Sequence, residues 1–143
     1  MNVFIVGSPL ETAMALDRPR LNKQIVEITQ MLNALNGETK AWRNHPCTLQ
    51  YEQHKDWMIE YQECLKAVAA KLFPEAVAHS DLADSIRPPF HTDDFFIQMK
   101  RRLYTKDNNH YAQWSCLGVS NENWYWSPKE QKIIKYVNGK RQD

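Results

Sequence analysis

Three residues that could do chemistry together, Arg20, Lys23 and Glu27, fall within one helix-sized segment, Pro19 to Leu35. Leu21, Ile25, Ile28, Leu32 and Leu35 repeat at spacings of 4, 3, 4 and 3, the pattern of a helix with one buried face. At about 100° per residue, Glu27 lies on the flank of that stripe, with Arg20 two turns and Lys23 one turn before it. A carboxylate at the border between core and solvent, beside cations, is a plausible active-site wall, where a pocket could open. The same spacing also fits an ordinary surface ion pair between Glu27 and Lys23. Arg43 and His45 stand in the polar connection that follows; His45 precedes Pro46, where it can meet a substrate phosphate or base, or cap a helical turn. Trp124 and Tyr125, followed by Trp126, can stack on bases, and side-chain alternation in a strand leaves at least one of the three off the core.

The elements that would carry these residues read as mainly α. Asn2 to Gly7, continuously apolar from Val3 to Val6, predict a short N-terminal strand. Ser8, Pro9 and Glu11 form a capping box for a short helix ending near Leu16. Asp17 is the candidate cap of the long helix, Pro19 suits its first turn, and Asn36-Gly37 ends it. Pro46 opens a turn through Tyr51, and a second long helix spans about Gln53 to Leu72, stopped by Phe73-Pro74. Glu75 to His79 is expected as one further turn and Ser80 to His91 as a loop. Thr92 caps a third long helix to about Tyr104, and Asn108 to Trp114 can form another turn. The C-terminal segment reads as a hairpin or an aromatic extended tail. The fold class expected is a compact single-domain helical bundle over residues 1–143, with the strand at one end and the hairpin at the other.

With 143 residues, 43% apolar and 24% charged, the chain has the composition of one globular domain. No apolar run of membrane-spanning length exists, and the first seven residues carry no basic leader. Cys47, Cys64 and Cys116 are odd in number and widely spaced, so neither a disulfide framework nor a zinc site is indicated, and a reducing cytoplasmic setting is expected. The histidines show no metal-ligand spacing, no phosphate loop or nucleophile elbow is present, and no cofactor is expected. The net charge of +1 argues against strong non-specific phosphate binding. Basic clusters at residues 100–106 and in the tail, set against acids at 75–94, could still form a local anion-binding face. The cluster on the third long helix also suits the helix dipole.

Two stretches, Asp17-Arg18-Pro19-Arg20-Leu21-Asn22-Lys23-Gln24-Ile25-Val26-Glu27 and Lys40 through Tyr51 with His45-Pro46-Cys47-Thr48-Leu49, resemble in order and separation the pyrimidine-dimer DNA glycosylase family, the endonuclease V-like proteins of phages and bacteria. The aromatic C-terminus is similar more faintly. The resemblance implies a small helical glycosylase with lyase activity on pyrimidine-dimer or abasic DNA, without a metal. It implies that the nucleophile is the α-amino group of the chain's first residue. Such an amine is a weaker base than lysine, about 7.7–8.0 against about 10.4 in model peptides, so a fraction is neutral near pH 7. Asn2 is too large for efficient removal of Met1, so Met1 is expected to keep that amine. Glu27 matches the catalytic glutamate, and Arg18, Arg20, Lys23, Arg43, His45, Trp124 and Tyr125 are the candidates for gripping DNA or a nucleotide.

Two other readings remain open at this stage. A phage protein of the same scaffold could bind or sequester a nucleotide or nucleic acid without catalysis, which the near-zero net charge favours. Alternatively, the aromatic, basic residues 124 to 143 could dock on a partner protein.

Overall fold

Residues 1–143 are all described by a computed structural model. Helices take 54% of the residues, and the class is mainly α. The elements are α1 (Pro9–Ala15), α2 (Arg18–Leu35), α3 (Pro46–Leu49), α4 (Lys55–Ala69), α5 (Phe73–Ser85) and α6 (Asp93–Lys106). A 3₁₀ turn (Ala112–Leu117) then leads to β1 (Glu122–Ser127), β2 (Lys132–Val137) and β3 (Lys140–Arg141). The strands form one antiparallel sheet in the order β1-β2-β3, with Tyr125 opposite Ile134. No helix is long and apolar enough to cross a membrane.

Local signals explain most boundaries. Ser8 and Glu11 close a complete capping box on α1, and Thr92 Oγ1 accepts the Phe95 N–H at the start of α6. Helix α4 ends in a Schellman motif: Lys71 is left-handed at φ 60°, Leu72 N–H donates to Ala67 O, and Lys71 N–H donates to Val68 O. A buried cluster that includes Ile5, Ile28, Trp57, Tyr61, Leu65, Phe95 and Leu103 joins the helices, with α4 at its centre against α1, α2 and α5. Burying side chains of this size contributes on the order of 1.5–3 kcal/mol each.

Five expectations change. The N-terminal segment is buried at Val3 to Val6 but joins no sheet; side chains, not a neighbouring strand, bind its backbone. Gln24 carries most of this work, its Oε1 accepting from Phe4 N–H at 2.8 Å and its Nε2 donating to Asn2 O at 3.1 Å. The expected turn and loop at 75–91 begin instead as the 13-residue helix α5. Pro74 sits in its first turn, where the missing N–H costs nothing, so a residue that ends one helix opens the next. Small buried residues, Ala76, Ser80 and Ala83, let α5 lie close on α4.

Asp17 occupies the N-cap of α2 without making a capping bond, because its carboxylate is taken by Tyr111 and Arg20. The buried face of α2 runs through Leu21, Gln24, Ile28, Met31 and Ala34, turned from the apolar stripe toward the Glu27 side. The internal demand for Gln24 under the N-terminal segment accounts for the turn. In α6, Arg101 donates to Leu117 O and Arg102 to Ser120 O, both at 2.8 Å, so these cations brace the following segment and do not form a free anion-binding face.

Candidate active site

A cavity of about 470 Å³ opens where the N-terminal segment, α2 and the end of α6 meet. Met1, Asn2, Arg20, Lys23, Glu27 and Lys106 line it. The rotation of α2 brings Glu27 to a half-buried position. Burial pushes its carboxyl above the usual range, while Lys23, the α-amine and Lys106 act in the opposite direction. Glu27 forms no direct ion pair with any of them, since the ion pairs of the chain lie elsewhere. Met1 and Glu27 therefore line one cavity, with the α-amine acting on the Glu27 carboxyl without an ion pair between them.

The positive rim has unequal members. Arg20 Nη1 reaches both Asp17 oxygens at 3.2 Å, which fixes its direction at the cavity edge. Burial works against the Asp17 carboxylate, but hydrogen bonds from Tyr111 and Arg20 outweigh it and hold its pKa below the ordinary value. Lys23 is exposed on the rim. Burial, together with Arg102, Arg20 and Lys23, lowers the pKa of Lys106. Arg18 is exposed and lies outside the cavity lining, and Arg43 stands 3.8 Å from Glu52, also outside it.

Behind Met1 lies an aromatic wall. His45 caps α3, its Nδ1 accepting the Cys47 N–H at 3.0 Å, which leaves Nε2 as the protonated nitrogen of the neutral ring. Burial and the nearby α-amine lower its pKa. Its ring meets Trp42 at 5.5 Å and Tyr125 at 5.9 Å, both edge-on. Tyr125 is only 5% exposed, and its hydroxyl donates to Met1 O at 2.8 Å, so its ring is closed to a stacking base. Trp124 is half-buried outside the cavity, covered by Lys135 at 4.7 Å. Burial pushes the Cys47 thiol, behind this wall, up to about 12, which makes it inert at neutral pH.

Sequence reading brought Met1, Asn2, Arg20, Lys23 and Glu27 into one list, and they meet in one cavity. It placed Lys106 in the basic cluster at 100–106 but not beside Glu27, some 80 positions away, where it arrives only through the packing of α6. It missed Asn123, whose Oδ1 accepts from Asn2 Nδ2 at 3.0 Å, because nothing in an isolated strand marks such a partner. Trp42, 42% exposed at φ 65° against His45, carried a signal in its place within the polar connection.

A family model described as pyrimidine dimer DNA glycosylase matches residues 1–72, half of the chain. The chain belongs to that family. The match spans the N-terminal segment through α4 and so contains every cavity residue named above except Lys106. Membership gives a function of the DNA glycosylase type in general, and DNA as what is bound. No curated protein and no solved structure matches the chain.

Proposed function

We propose that the protein is a DNA glycosylase/lyase that acts on pyrimidine-dimer or abasic sites through the α-amine of Met1, with Glu27 as its acid–base partner. The observation that carries this reading is that Met1 and Glu27 line the same cavity and form no ion pair with one another, while the α-amine acts electrostatically on the Glu27 carboxyl.

In the proposed sequence the neutral amine nitrogen bonds to the sugar C1′. The C1′–N bond to the base breaks, its electron pair leaving with the base, which takes up a proton. The sugar ring opens as the C1′–O4′ bond breaks, and the nitrogen lone pair completes a C1′=N imine; the amine proton passes through Glu27 to O4′. On the lyase branch Glu27, as carboxylate, removes a 2′ proton, and the 3′ phosphate leaves. A half-buried carboxyl with a raised pKa suits this exchange of proton-donor and proton-acceptor roles. Arg20, Lys23 and Lys106 would meet the phosphates beside the lesion. Extruding a damaged nucleotide costs a few kcal/mol, less than an intact one.

Borohydride trapping on duplex DNA with an abasic site tests the proposal. The expected result is a covalent protein–DNA adduct that disappears when residues are added before Met1. Absence of any adduct, with a nucleotide raising the melting temperature instead, would favour the non-catalytic reading. The small net charge supports that reading.

A further inference from the structure

We infer that Tyr125 and Asn123 of β1 are positioning residues that hold the first two residues so that the α-amine faces the cavity. The inference rests on the proposed use of that amine.

Chain ends normally fray, yet here each of the first two residues is tied to a distant element. Tyr125 Oη donates to Met1 O at 2.8 Å, and Asn2 Nδ2 donates to Asn123 Oδ1 at 3.0 Å. Gln24 of α2 binds Asn2 O and Phe4 N–H, and the Tyr61 hydroxyl of α4 donates to Phe4 O. The N-terminal peptide is therefore held by side chains from α2, α4 and β1 together. None of these bonds uses the amine nitrogen, so its lone pair stays available for chemistry.

The Tyr125 hydroxyl is itself fixed. Its ring is buried and meets His45 at 5.9 Å and Tyr136 at 5.6 Å, both near edge-on. Its target is the carbonyl adjacent to the Cα that bears the amine, so the bond restricts rotation of that residue most directly. An amine at a free end samples many directions, and alignment of a nucleophile within a bound complex is worth orders of magnitude in rate. Both tethers lie beyond residue 72, outside the matched segment. The C-terminal sheet thus completes the site by restraint, not by contact with substrate.

Tyr125→Phe keeps the ring and removes only the donor. The expected result is a single-turnover trapping rate lowered about tenfold, with affinity for abasic DNA within about twofold of the unmodified protein. Reductive methylation of the α-amine by formaldehyde should be unchanged, because a small aldehyde needs no alignment. A purely structural role would instead lower the melting temperature and move binding and trapping together. Asn123→Ala should slow trapping by about threefold and decides the matter if Tyr125→Phe does not fold. Trapping by both folded variants at the unmodified rate would overturn the inference and leave the amine mechanism standing. Failure of the unmodified protein to trap would overturn the mechanism itself.

Discussion

Residues 1–72 and residues 73–143 do different work. The first part matches the glycosylase family and holds Met1, Arg20, Lys23 and Glu27, which line the cavity and which the proposal assigns to chemistry and phosphate contact. The second holds Lys106 at the cavity and Tyr125 and Asn123 on the first two residues. It also packs as an aromatic mass in which Phe90 and Phe95 surround His91. The difference teaches that reactive groups can be concentrated in a short stretch of chain, while the restraints that aim them come from afar.

That contrast is sharpest at Glu27. Glu27→Gln should lower glycosylase and trapping rates by roughly 10²–10⁴-fold, as loss of a positioned acid–base group does, while the fold persists. Stability should move the other way. Because burial raises the folded-state carboxyl pKa, ionisation is disfavoured in the folded protein, and stability falls as pH rises through that raised value. The amide variant should therefore melt no lower than the parent at pH 7, with any advantage shrinking toward pH 4. Melting curves across pH check this.

Gln24 joins the two parts by holding the segment that β1 tethers. Gln24→Leu leaves the buried Phe4 N–H and the half-buried Asn2 O without their partner, at about 1–3 kcal/mol for the buried N–H. Denaturant unfolding should show the loss, and trapping should slow beyond what stability explains.

His91 probes the packing of the second part against the first. It is 4% exposed, accepts from or donates to the Tyr51 hydroxyl at 2.8 Å, and burial, with Arg87 and His54, lowers its pKa to about 3. The unfolded chain binds this proton near 6.5 and the folded one does not, so stability is intact above 6.5 and falls between 6.5 and about 3. The loss should reach a few kcal/mol at the acid end, and His91→Phe should flatten the dependence of melting temperature on pH in that range. The smallest effect belongs to Lys106→Ala, which should weaken DNA binding severalfold and reduce the salt slope by about 1 without abolishing chemistry. A salt titration of binding checks it.

Much of the first part was legible because its signals are local. Periodicity gave α2, the Ser8–Glu11 box gave α1, and Glu27 stood out by its place on a helix flank. The failures were tertiary. A hydrophobic run reads as a strand, but Val3 to Val6 are satisfied by Gln24 and Thr12 side chains. Pro74 reads as a stop, yet small residues after it found a groove on α4. Tyr125 reads as a stacking surface, and its burial against the first residue emerges only when both ends of the chain meet.

The central claim is that Met1 supplies the reacting nitrogen beside Glu27. Trapping on abasic DNA, followed by proteolysis and mass spectrometry of the cross-linked peptide, tests it most directly. The sugar remnant is expected on the α-nitrogen of the peptide that begins at Met1. Its appearance on Lys23 or Lys106, the other amines of the cavity, would contradict the claim.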